Sequence, residues 1–283
     1  MIAEFIASWP LFGDAYLAGW LIAMLLGLLG VIVVARDQIF IGAAVSQAAV
    51  LGMAIGLALG AMPGLHERDW IHNDWTLLVA GAIFAVGGAL LTATRGRGRE
   101  SHEAVTGWVF LLGSTGSVLL LAHSPHGMEE INRLLASTLI GATGSDAYVF
   151  GGMLAVVLVA VLVARDRLLL FATDPDMAAA VGMRVSSWNR GINIALGLAV
   201  GLSIHVAGVI YAFGCLVLPA LIAKSVGREV RTLCWTTPLI ALSGSVTGFI
   251  IAHAYDLPPA QATVGLLALA LGGAWGIRGL RGQ

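Results

Sequence analysis

GINIALGLAVGLSIHVAGVIYAFGCLVLPALIA, residues 191–223, is a run of 33 residues without a single Asp, Glu, Lys or Arg. A helix crosses a bilayer core in roughly 20 residues, so the run is too long for one crossing and too apolar for a water-facing loop. Its interruption near the middle is Ser203-Ile204-His205. The run reads as two short helices with a turn at that interruption.

Outward from this run, apolar segments between charged residues cover roughly 15–35, 38–62, 75–94, 104–122, 147–164, 235–252 and 257–277. Most have the length of a transmembrane helix. With the split run they give nine spans, eight being the close alternative. The expected fold class is an all-α polytopic membrane protein in a single transmembrane domain, residues 1–283. Composition agrees: 58% of the 283 residues are hydrophobic, 11% are charged, and mean hydropathy is +0.91. Soluble domains carry about 25% charged residues, so a soluble enzyme is excluded. The net charge of -1 says nothing about nucleic acid, and with no basic block long enough to track phosphates no nucleic-acid partner is expected.

Lys and Arg in short loops stay on the cytoplasmic side of a membrane. Alternate loops hold Arg36; Arg95, Arg97 and Arg99; Arg165, Arg167, Arg184 and Arg190; Lys224, Arg228 and Arg231; and Arg278 and Arg281. That face has thirteen of the fifteen basic residues, leaving Arg68 and Arg133 opposite. Nine spans then place the N-terminus outside and the C-terminus in the cytoplasm. No cleaved leader is expected, because the first 14 residues lack Lys and Arg and the first apolar run is long enough to span.

The chemistry of a membrane enzyme is missing. The one lysine, Lys224, has no upstream glycines of a phosphate-binding loop, and neither an H-E-x-x-H pair nor a G-x-S-x-G elbow occurs. No catalytic residue is expected. Acidic groups at mid-membrane depth, which mark proton relays, are absent too, and the ionisable groups nearest that depth are His205 and His253. This pattern suits a pore-forming subunit powered by something else. Ala44, Ala48, Gly52, Gly56 and Gly60 recur every four residues on one helix face, as do Gly197 with Gly201 and Gly244 with Gly248. Such faces let helices approach closely, mainly for packing within the chain.

Between Arg165 and Arg190 the chain leaves the membrane on the basic side. Asp174 at an N-cap and Pro175 at the first helical position are good helix-initiation chemistry. A short surface helix through Met177 to Val181, closed by Gly182, is expected there.

Three stretches together resemble a known family. Arg36-Asp37-Gln38-Ile39-Phe40-Ile41-Gly42-Ala43-Ala44-Val45-Ser46-Gln47-Ala48-Ala49-Val50-Leu51-Gly52 is similar to the second span of permease subunits of ABC importers for manganese, zinc and iron, which reads G-D-A-L-S-H-A-x-L-P-G. Asp174-Pro175-Asp176-Met177-Ala178-Ala179-Ala180-Val181-Gly182-Met183 resembles the family's D-P-x-x-A-x-x-x-G segment. Val206-Ala207-Gly208-Val209-Ile210 and Leu216-Val217-Leu218-Pro219-Ala220 resemble its V-x-G-V-L and L-x-x-P-A span. The resemblance runs from about residue 15 to 275.

It implies a multi-pass permease in a bacterial plasma membrane, paired with a second permease as a homodimer or heterodimer. An ABC ATPase subunit on the cytoplasmic side would use the ATP, and an extracytoplasmic binding protein would deliver a divalent metal. No cofactor is expected on this chain itself. Asp174, Pro175, Asp176, Ala178 and Gly182 would belong to the ATPase-coupling segment.

The chain departs from the family at one informative place. The family's Asp and His, four residues apart, make chemical sense as metal ligands, but here those positions are Ala43 and Gln47, with Leu51 in place of the proline. Other donors lie elsewhere. His66, His72, His123 and His126 fall in outer loops and are candidate entrance ligands, while His253 precedes Asp256 by three residues at a helix end. Ser46, Gln47, His205, His253 and Asp256 are the pathway candidates. Two other readings remain: the same fold importing a chelated metal or small polar solute, and a non-transporting scaffold or intramembrane enzyme.

Overall fold

The computed structural model describes residues 2–60, 74–93, 101–122, 129, 139, 141–227 and 229–280, and all regular structure among them is helical. In chain order the helices are α1 (Ile2–Ala7), α2 (Trp9–Ala35), α3 (Phe40–Gly60), α4 (Asp74–Ala93), α5 (His102–Leu121), α6 (Gly144–Val163), α7 (Arg165–Thr173), α8 (Pro175–Ala180), α9 (Val185–Val226), α10 (Val230–Ala254) and α11 (Pro259–Leu280). Eight of them, α2 to α6 and α9 to α11, are long and apolar enough to cross a membrane. The protein is an all-helical, multi-pass membrane protein.

Two boundaries differ from the sequence expectation. The first span begins at Trp9 rather than near residue 15, with Pro10 in its first turn, where a missing N–H costs nothing. It runs on through Asp14, whose side chain is exposed.

The second difference lies in the long apolar run. The 42 residues of α9 contain one non-helical residue, Gly208, with φ 80° and ψ 166°. The expected turn at Ser203-Ile204-His205 is not there. Ser203 is helical because its hydroxyl donates to the Ala199 carbonyl at 2.6 Å, so a buried polar side chain is satisfied without breaking the helix. Gly208 breaks it instead, at a backbone conformation that residues with a Cβ avoid.

The chain forms two compact units, one comprising Met1–Gln38, Thr138–Val185 and Ile210–Gln283, the other Ile39–Ser137 and Ser186–Val209. In the first, α2 is the central helix, with α6 and α10 packed on it and α11 packed on α10. Ala18, Ile22, Leu25, Leu26 and Val34 of α2 are completely buried. Glycines set the close approaches. At Gly30 a methyl group would overlap the Leu216 carbonyl of α9, and at Gly248 it would lie 2.6 Å from the Thr263 Cα of α11.

One buried side chain ties three helices of this unit together through hydrogen bonds. Tyr211, fully buried, donates its hydroxyl to the Gly19 carbonyl at 2.9 Å and lies 2.6 Å from the Ser245 hydroxyl. That joins α9, α2 and α10 through one side chain, with each bond contributing about 1 kcal/mol net. By contrast α6 buries only Phe150, while Val156 and Val163 are 70% and 83% exposed. An apolar helix face of that extent suits lipid acyl chains.

The second unit is built on α3, with α4 and α5 packed along it. The small-residue stripe is the contact. Gly52 sits against the Ala80 carbonyl and Phe84, Gly56 against Leu77, and Ala44 and Ala48 pack with Val109 of α5. The first part of α9 repeats the device, as Gly197 and Gly201 lie against the backbone of Val86 and Ala82.

Candidate functional site

The candidates near the start of α3 are largely absorbed by packing. Ser46 is completely buried, and its hydroxyl donates to the Gly42 carbonyl at 2.8 Å. Gln47 is half-buried, and its main chain is where α5 comes closest: a Cβ at Gly113 would lie 2.6 Å from the Gln47 carbonyl carbon. His205 is in the same unit, half-buried within α9 and three residues before the break. Among the described residues no group of three or more His, Cys, Asp or Glu is placed to hold a metal ion.

His253 and Asp256 are brought together in the first unit. Both line a cavity of about 400 Å³ with Phe12, Ala15 and Tyr16 of α2, Leu139, Phe249 and Ala252 of α10, and Leu257, Pro258 and Pro259. Aromatic contacts build its wall. Phe5 stacks on Tyr16 with centroids 4.6 Å apart, Tyr16 meets Phe249 at 5.8 Å, and Phe5 meets the His253 ring edge-on at 6.0 Å. Asp256 sits where α10 ends: Leu257 N–H donates to the Ala252 carbonyl at 2.9 Å while Asp256 has φ 52°. This Schellman-type end normally takes glycine, because a Cβ in the left-handed region is strained.

Two similar helix ends lie around the segment expected on the basic side. Asp37, φ 52°, follows α2, and Gly182, φ 85°, follows α8. Asp37 uses its position to accept from Lys224 at 3.0 Å, and the same ammonium reaches the Val34 carbonyl at 3.4 Å. Beside it the Arg36 guanidinium lies 4.6 Å above the centre of the buried Phe171 ring of α7. This cation–π contact, about 1 kcal/mol in a partly exposed setting, fixes α7 to the end of α2. The following helix, α8, is initiated as its residues dictate: Pro175 opens it and the Asp174 carboxylate accepts from Met177 N–H at 2.8 Å. Ala178 is buried beneath it, Asp176 is exposed, and Met177 and Val181 present apolar surface outward at 52% and 62% exposure.

His66, His72, His123 and His126 lie outside the described residues. Sequence reasoning missed the aromatic wall and the Lys224–Asp37 and Arg36–Phe171 contacts. Phe12 and Tyr16, four residues apart on one helix face, carry the signal for the wall; the other two pairs join residues with no sequence proximity.

The chain resembles known proteins over nearly its whole length. It is 25% identical over 250 residues to a probable metal transport system membrane protein of Thermotoga maritima, covering 88% of this chain and 84% of the relative. It is 21% identical to the manganese import system permease protein ScaB of Streptococcus gordonii, covering 93% and 91% of the two chains. In fold it matches PsaBC from Streptococcus pneumoniae, solved in complex with Fab, with a TM-score of 0.79, 18% identity and coverage of 97% and 95%. The model of the ABC 3 transport family matches residues 8–274, and the chain belongs to that family.

Proposed function

We propose that this chain is the transmembrane permease of an ATP-driven importer for a divalent transition metal, manganese, zinc or iron. The observation that carries the reading is the match of the ABC 3 transport family over residues 8–274. The chain acts as a single permease domain, pairs with a second permease in a bacterial plasma membrane, and receives metal from an extracytoplasmic binding protein. A separate ATPase subunit supplies the energy. Nine crossings fit, since α9, at about 1.5 Å per residue, is roughly 63 Å long against a core of about 30 Å. The break at Gly208 divides it into stretches of 23 and 18 residues. The N-terminus is then outside and the basic loops face the cytoplasm.

Alternating access needs a lever that feels the ATPase and a pathway that feels the lever. We assign the lever to Asp174, Pro175, Asp176, Ala178 and Gly182 around α8. Met177 and Val181 are the exposed apolar contacts, and the Arg36–Phe171 stack joins α7 to α2. The pathway is assigned to Ser46, Gln47, His205, His253 and Asp256, with His66, His72, His123 and His126 as entrance donors. Histidine nitrogen and carboxylate oxygen suit these metals.

A clean deletion of the chain is expected to lose ATP-dependent uptake of at least one of zinc, manganese and iron. Unchanged uptake of all three would remove the reading. Replacing Gln47, His205 and His253 together with alanine tests the pathway separately; unaltered transport by the triple variant would refute that assignment.

A further inference from the structure

The pattern C-x-x-x-P occurs twice, as Cys215-Leu216-Val217-Leu218-Pro219 inside α9 and Cys234-Trp235-Thr236-Thr237-Pro238 inside α10. Proline has no N–H, so each helix lacks the bond to the carbonyl four residues back, Cys215 in one and Cys234 in the other. Both weak points face α2 at a glycine. Gly30 lies against the Leu216 carbonyl, and a Cβ at Gly27 would stand 3.7 Å from the Pro238 Cα. Helices bend most readily where the ladder is already broken, and glycine puts no side chain in the way.

The break in α10 also holds an unspent donor. Thr237 is completely buried, and its hydroxyl has no hydrogen-bond partner among the described residues. Thr236, Ser243 and Thr247 of the same helix each donate to a carbonyl three or four residues back. For Thr237 the carbonyl three residues back is that of Cys234, which Pro238 leaves without its helical donor. An unpaired buried hydroxyl is costly, and a bend at Pro238 that closes it onto this carbonyl satisfies both groups.

Beyond the two prolines the ends of α9 and α10 form one tip, in which Ala223 and Leu233 pack together on Val31 of α2. Arg278 of α11 donates to the Lys224 carbonyl at 3.4 Å. The charged tie to α2 is Lys224 with Asp37 at 3.0 Å, their side chains 49% and 81% exposed. An ion pair so open to solvent holds weakly, which suits a latch.

We propose that this tip has two positions: latched to α2 as seen here, and, once Lys224 leaves Asp37, bent at Pro219 and Pro238 with the Thr237 hydroxyl donating to the Cys234 carbonyl. This rests on the importer reading, in which the bend is how the basic end of the chain moves during alternating access.

The test places spin labels at Val226→Cys on the tip and Tyr255→Cys at the far end of α10, both exposed positions. The full chain carries Cys215→Ala and Cys234→Ala and is held in lipid nanodiscs, and pulsed electron resonance reads the distance between the labels. One dominant distance is expected with the latch intact, and a second, shorter one after Asp37→Asn or, independently, Lys224→Gln. Adding Thr237→Val, which keeps the shape and removes the hydroxyl, should cut the shorter population about fivefold, the worth of one hydrogen bond. Thr237→Ser should keep it. Thr237→Val alone should raise the thermal midpoint, since the unpaired hydroxyl is gone. A single distance unchanged by both latch variants, or a shorter population equal with threonine and valine at position 237, overturns the proposal. If cells lacking the chain keep full metal uptake, the importer reading falls and the distances still decide the bend. Lost uptake with one rigid distance removes the bend and leaves the importer reading standing.

Discussion

The beginning of α3 and the end of α10 both hold proposed pathway residues, yet their surroundings are opposite. Around Ser46 and Gln47 the helices approach until no Cβ fits at Gly113, and the Ser46 hydroxyl is spent on its own helix. Around His253 and Asp256 the walls stand apart and enclose about 400 Å³. The family-like stretch is closely packed and holds Ala43 and Gln47, neither of them charged, while the cavity has donors and room. Residue type alone does not mark a site. A donor is useful where neighbours leave its lone pairs and the adjoining space free.

That contrast can be broken experimentally. The largest effect is expected on the tight side. Gly113→Val drives a branched side chain into the Gln47 main chain and should destabilise the chain by about 3 kcal/mol, a typical upper cost of overpacking, read as a fall in thermal midpoint in detergent. A midpoint unchanged from the parent would mean the α3–α5 contact is looser than described. Tyr211→Phe removes the hydroxyl shared by Gly19 and Ser245. It should cost about 1 to 3 kcal/mol, since Ser245 loses its buried partner.

Asp256→Gly sharpens the comparison most, because stability and transport should move in opposite directions. Glycine relieves the left-handed strain at φ 52°, worth about 1 kcal/mol, so the melting temperature rises while metal uptake falls. A higher melting temperature with unchanged uptake would detach the carboxylate from any role in the pathway. The smallest effect is expected for Asp174→Ala. Loss of the bond to Met177 N–H costs about 1 kcal/mol locally, and its readout is weaker copurification of the partner ATPase with little change in the global melt.

Much of the fold is legible in the residues. The apolar lengths and the Asp174-Pro175 start follow from hydropathy and capping chemistry that act over a few residues. The break in α9 is not legible in the same way. Ser203-Ile204-His205 looks like an interruption because polarity is what a linear reading can see, yet a serine bonds to the carbonyl four residues back and stays helical. Gly208 carries no polarity; it stands in the Val206 to Ile210 stretch that resembles the family, but its part as the break lies in a backbone angle. The site shows the same division. His253 and Asp256 stand out by type, whereas the cavity depends on Phe12 and Tyr16 meeting Phe249 across more than 200 residues of chain.

The account rests centrally on transport, and the direct measurement is metal accumulation in cells carrying a clean deletion, compared with the same cells complemented by the intact gene. Zinc, manganese and iron should each be followed with and without ATP depletion. The expected result is loss of ATP-dependent uptake of at least one of the three, restored on complementation. Uptake of all three at the parental rate in the deletion strain would contradict it.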